Sequence, residues 1–150
     1  MRTSKQFSVT LVNKPGRLSA MLTALGKEKV GFQALSVMDC GERGTLRFVP
    51  DNYEMASDIL QKGNIHYEVS DVLLVEVPPQ HGAFQKICER LASEHLNIDY
   101  AYCGPGTDTK SRGGTLAVIK VNDLAKAQKA LSTNGSSRRK QPGRRPVHAR

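Results

Sequence analysis

The chain has 150 residues, of which 39% are hydrophobic, and a formal net charge of +8. That length suits one ordinary domain or two small ones, and no apolar run approaches the ~20 residues needed to span a bilayer. Six of the 22 cations and none of the 14 acids fall in residues 132–150, so residues 1–131 carry only +2 and offer no concentrated basic face.

Phe7, Val9 and Leu11 alternate with Ser8 and Thr10, the period-two pattern of a half-buried strand over residues 7–12. No apolar signal segment precedes this strand, which predicts a cytoplasmic protein. Asn13, Lys14, Pro15 and Gly16 form a turn, with Pro15 suited to starting a helix. Leu18, Met21, Leu22 and Leu25 place that helix's apolar stripe at i, i+3, i+4, i+7. Gly31 restarts the chain into a strand over residues 32–38, residues 39–44 turn, and residues 45–49 form a third strand. Asp51 or Asn52 caps a second helix with Tyr53, Ala56, Ile59 and Leu60 inward. Gly63 helps to stop it, and residues 65–69 read as a fourth strand.

The pattern then starts again after Ser70 and Asp71. Residues 72–77 form a strand, and Phe84, Ile87, Cys88 and Leu91 repeat the first helical stripe 66 residues on, just after Gly82. Residues 97–103 are the next strand, and a glycine-rich loop covers residues 104–114. Residues 115–121 form a further strand. Asn122 and Asp123 then cap a helix facing inward with Leu124, Ala127 and Leu131. No recognisable fourth strand follows. A duplicated unit of this size is marginal alone, so the two copies should share an interface. The predicted domains are residues 1–70 and 71–131, followed by a basic, disordered tail at 132–150.

The order βαββαβ is the split-βαβ, ferredoxin-like arrangement. The predicted fold class is therefore α+β, with two such units and the second lacking its last strand. Each unit's second strand is an edge, and pairing the two edges would give one side-by-side antiparallel sheet. Cys40, Cys88 and Cys103 form an odd set with no CxxC, which favours reduced thiols. Antiparallel pairing of the edges keeps Cys40 and Cys103 too far apart to bridge.

Residues 13–18, Asn-Lys-Pro-Gly-Arg-Leu, directly after a strand, resemble the (D/N)-x-P-G-x-L signature of ACT domains, the small βαββαβ modules that bind amino acids and regulate enzymes of amino-acid metabolism. The resemblance covers residues 6–131 as a tandem pair without an attached catalytic domain. The second unit departs from the signature, with Pro79, Gln80, His81, Gly82, Ala83 and Phe84 in its place. In the family, ligand sits where the loop after strand one of one unit meets the start of strand two of its partner. A helix N-terminus attracts a carboxylate there, glycine allows close approach, and an Asn amide can hold either end of a zwitterion. The resemblance therefore implies one site per chain, built from Asn13, Pro15, Gly16, Arg17 and Leu18, with Asn97 and Ile98 across the interface. The reciprocal pairing of Pro79 with Gly31 offers no side-chain hydrogen bond and should be empty.

Other chemistries find little support. His81, Cys88 and His95 are seven residues apart, ~10 Å along a helix, too far to share a metal ion. Tyr100 and Tyr102 alternate on one strand face and are expected to pack on the other unit. The glycine-rich loop is no phosphate-binding motif, and no nucleophile, base or paired buried carboxylates can be argued. The chain reads as a non-enzyme without cofactor or metal: an amino-acid-binding regulatory or sensor protein. Its expected partners are an amino acid and either a homodimer or a regulated enzyme of amino-acid metabolism. Two alternatives stand beside it, a nucleic-acid-associated module using the Arg-rich tail and an assembly module without ligand.

Overall fold

The computed structural model describes residues 1–107 and 113–132. Among them the chain forms β1 (Arg2–Val12), α1 (Arg17–Lys27), β2 (Phe32–Cys40), β3 (Arg43–Pro50), α2 (Tyr53–Lys62), β4 (Tyr67–Val77), α3 (Ala83–Ser93), β5 (Ile98–Pro105), β6 (Thr115–Val121) and α4 (Leu124–Ser132). The result is an α+β fold whose described strands make one six-stranded antiparallel sheet in the order β2-β3-β1-β4-β6-β5. The basic tail expected to be disordered at 132–150 begins one residue later, since Ser132 ends α4, and its remainder, like the middle of the glycine-rich loop, lies outside the described residues.

Two expectations about strands are corrected. Residues 65–69 and 72–77 are not separate strands: β4 runs unbroken from Tyr67 to Val77. Ser70 and Asp71 look like a linker, yet neither breaks a strand, and the period-two alternation passes straight through them. Tyr67 packs on the first core, while Leu73, Val75 and Val77 belong to the second. Strand β1 is also longer than its hydrophobic signal, because Arg2, Thr3, Ser4 and Lys5 pair with Leu74, Leu73, Val72 and Asp71.

These ladders account for the missing last strand. The C-terminal part of β1 pairs with β3, and the N-terminal part of β4 flanks it in the first half. The C-terminal part of β4 pairs with β6 in the second half. Beside it, where a fourth strand of that half would lie, run the first residues of β1. Each long strand thus passes from one half into the other.

The side-by-side arrangement through β2 and β5 is likewise corrected. Those strands are the two ends of the hydrogen-bonding order, but the sheet curls into a near-barrel until they lie against each other. Gly104 makes the contact possible. A Cβ there would press on the Gln33 carbonyl oxygen and stand 2.9 Å from the Ala34 Cβ. Gly104 lies beside the start of β2, and Cys103 precedes it, whereas Cys40 ends that strand. Cys88 and Cys103 are free thiols.

The helices close one face of each half. Phe7, Val9, Met21, Leu25, Leu46, Phe48, Ala56 and Leu60 form a buried cluster under α1 and α2, and Leu73, Leu91, Ala117, Ile119 and Ala127 form its counterpart under α3 and α4. The repeat extends to backbone detail. Gly16 and Gly82 cap α1 and α3 with φ of 86° and 82°, and Lys29 and His95 end them with φ of 56° each. The inner stripe of α3 differs from expectation: Ala83, Ile87 and Leu91 face the core, Cys88 is half-buried, and Phe84 is 36% exposed. The i, i+4 row has displaced the i, i+3 row because Ala83, not Phe84, sits over the sheet. Asn52 caps α2, its Oδ1 accepting from Met55 N at 3.1 Å, while Asp51 instead accepts from Gly31 N at 3.1 Å.

Gly104→Ala should lower unfolding stability by ~1–3 kcal/mol through overpacking against β2. Gly26→Ala, in α1 with nothing within 4 Å of the added methyl, should raise it by ~0.5–1 kcal/mol. Urea denaturation midpoints of the two variants check both signs.

Candidate ligand site at the junction of the two halves

The turn after β1 is built by its own residues. Asn13 N donates to Glu42 O at 2.8 Å and its Nδ2 donates to Gly41 O at 3.4 Å, which ties the turn to the β2–β3 connection. Arg17 N donates to Lys14 O at 3.3 Å, and Gly16 O accepts the first helical bond from Ala20 N at 2.9 Å. No side chain caps α1 and no acid lies in its first turn, so the first-turn amides face outward without a protein carboxylate. Asn13, Pro15, Gly16 and Arg17 are exposed, and Leu18 is half-buried against the first core.

The other predicted contributors begin β5. Asn97 is exposed; its N donates to Asn122 Oδ1 at 3.0 Å and its Nδ2 to Asp99 Oδ1 at 2.9 Å. Ile98 pairs with Val121 and packs on the second core. Residues 13–18 thus form one local group and residues 97–98 another, and no hydrogen bond joins the two groups among the described residues. The corresponding loop of the second half, with Gln80 and His81, borders a cavity of ≈ 490 Å3 together with Lys86, Ile87 and Arg90.

Between the halves lies a polar group that joins Tyr100 and Tyr102 to a residue belonging to no motif. Gln6, fully buried on β1, donates through Nε2 to Tyr100 Oη, and its Oε1 accepts from Tyr102 Oη at 2.7 Å. The guanidinium of Arg47 lies 4.1 Å above the centre of the Tyr100 ring. Both tyrosines therefore reach across to the first half, as their alternation predicts. A signal for Gln6 existed, since it alternates with Phe7 and must face away from the helices. Nothing local shows, however, that this face is covered.

The match to known proteins spans both halves of the chain. A family model described as an ACT domain pair matches residues 2–131. The chain belongs to the ACT-domain family. ACT domains are regulatory, non-catalytic modules, and among the described residues no three His, Cys, Asp or Glu side chains gather as a metal ion would require. The ACT pair is similar to protein BT0572 from Bacteroides thetaiotaomicron, with 26% identity, a TM-score of 0.78 and 86% of each chain covered. It shares its fold with the regulatory subunit of aspartate kinase from Thermus thermophilus, at 13% identity and a TM-score of 0.58, covering 87% of this chain and 95% of that one. The same subunit from Thermus flavus gives 16% identity and a TM-score of 0.57, covering 86% and 90%. No curated protein sequence matches the chain.

Burial, and after it the neighbouring Tyr100, raise the pKa of Tyr102 above its ordinary value, although Arg47 opposes them. The unfolded chain therefore releases this proton first. The contribution of Tyr102 to stability is complete below pH ~10 and is lost as pH rises toward the elevated folded value. Stability of the ACT pair should fall above pH ~10, and Tyr102→Phe should flatten that fall. Gln6→Leu leaves both phenols without their partner and should cost ~1–3 kcal/mol at neutral pH. Denaturant unfolding across the pH series reads both effects.

Proposed function

We propose that this ACT pair is an amino-acid-binding regulatory or sensor protein, with one ligand site per chain between its two halves, residues 1–70 and 71–131. The ligand lies against Asn13, Pro15, Gly16, Arg17 and Leu18, with Asn97 and Ile98 from the other half. The observation that carries the reading is the N-terminus of α1, which is glycine-capped, free of acids and open to a carboxylate.

The course of β5 supports the pairing. Tyr100 stands under Arg47, which pairs with Ser36 in mid-β2, while Gly104 lies against Gln33 and Ala34 at the start of β2. Strand β5 therefore runs opposite to β2, and its beginning points toward the Gly41 turn that holds Asn13. A ligand there would contact both halves, and its differential affinity for two arrangements of them would be the regulatory signal. The shared fold with regulatory subunits of aspartate kinase supports an enzyme of amino-acid metabolism, or a second copy of this chain, as the recipient. A cytoplasmic location completes the proposal.

A thermal-shift screen of the twenty amino acids should give a selective responder, because a ligand bound only to the folded state raises the melting temperature. Calorimetry should then show Asn13→Ala and Asn97→Ala each weakening that ligand by ~1–3 kcal/mol. Unaltered binding in both variants would move the site elsewhere.

A further inference from the structure

The sheet face turned away from the helices changes character along its length. At one end Ala34, Val49, Val72, Leu74, Leu116 and Val118 pack together. Beyond Gln6 and its two tyrosines the face becomes polar and opens into a cavity of ≈ 350 Å3, whose lining includes Ser8, Arg47, His66, Glu68, Asp99 and Lys120. That size falls at the lower end of small-molecule pockets. The turn before α1 contributes nothing to it.

The cavity holds charges of both signs that do not neutralise one another. Among the described residues the ion pair is Lys5 with Asp71, and none joins Arg47 or Lys120 to Glu68 or Asp99. Arg47 is the most constrained of these groups. Its flat face rests on the Tyr100 ring, that ring is tethered to buried Gln6, and its Nε is buried without a hydrogen-bond partner. A buried donor left unpaired is destabilising unless something fills the place.

Register fixes how the opposite charges are spaced. Ser8 pairs with Arg47 on one side and with Glu68 on the other, so Glu68, Ser8 and Arg47 form one row across β4, β1 and β3. Adjacent strands stand ~4.8 Å apart, which sets the two charged roots ~10 Å apart with a hydroxyl between them. A carboxylate suits the fork of Arg47, an ammonium suits the carboxylate of Glu68, and Ser8 can serve either. A phosphate would meet Glu68 and Asp99, and a metal cation would meet Arg47 and Lys120, so a ligand of one sign is disfavoured.

We propose that this inner cavity is a second binding site, for a small zwitterion such as a free amino acid, with its carboxylate on Arg47 and its ammonium on Glu68. The site is distinct from the one at the α1 turn and stands or falls without it.

The test is an amide-resolved NMR titration of the full chain with each of the twenty amino acids, and with propionate and propylamine as the two half-probes. At least one amino acid should saturably shift the amides of Ser8, Thr10, Thr45 and Ser70, with each half-probe about tenfold weaker or worse. Arg47→Gln and Glu68→Gln should each weaken that response about tenfold or more. Shifts confined to residues 13–18 and 97–98 would support the α1 site and overturn this one. Absence of any inner-face response, or half-probes binding as well as amino acids, would also overturn it. Glu68 is exposed, so Glu68→Gln guards against misfolding of the Arg47 variant: a native-like spectrum with inner-face shifts unchanged from the wild type would refute the proposal.

Discussion

The antiparallel pairing of β1 with β4 is the constraint on which the other elements depend. Its register runs from Arg2 opposite Leu74 to Val9 opposite Tyr67. On their opposite edges the same strands pair with β3 over Phe7–Val12 and with β6 over Leu73–Val77, so each contributes to both halves. Phe7 and Val9 face the first helical layer, and Leu73, Val75 and Val77 face the second. The exposed Lys5–Asp71 pair at 2.6 Å marks the middle, where neither layer reaches; a surface pair of this kind contributes little. What holds the two strands together is their ladder and the apolar side chains flanking that middle.

A sheet anchored at its centre is free to curl at its margins, and here it curls until the margins touch. Gly104 against Gln33 and Ala34 supplies the close approach. Gln6 satisfies the two phenols that the curl brings inside. The enclosed face is consequently divided, dry beneath Leu74, Leu116 and Val118 and wet beside Arg47 and Glu68. Edge-to-edge pairing of two flat units would have left that face open to water on both sides.

Much of the fold was legible in the sequence wherever the signal was local. The 66-residue recurrence of a glycine and a helical stripe located α1 and α3, and residue type narrowed two helix caps to Asp51 or Asn52 and to Asn122 with Asp123, of which Asn52 and Asp123 make the capping bonds. Residues 13–18 likewise announced a turn that the structure contains. The failures arose where pairing decided the outcome. Arg2, Thr3, Ser4 and Lys5 carry no strand signal of their own and become strand only through residues 71–74. Ser70 and Asp71 looked like a break because the sheet between the helical layers is wet. The grouping of Gln6, Arg47, Tyr100 and Tyr102 draws on three strands and on the curl of the sheet, which no periodicity records.

The shared strand ties the two halves together in time as well as in space. During synthesis the opening residues emerge first, yet their partners at 71–74 follow on the order of several seconds later. Until then β1 presents an unpaired edge, and neither helical layer sits on a finished sheet. The protein must therefore pass through a state in which its own first strand is an open template for other chains. The polar run Arg2-Thr3-Ser4-Lys5, charged at both ends, is well suited to keeping such an edge soluble while it waits.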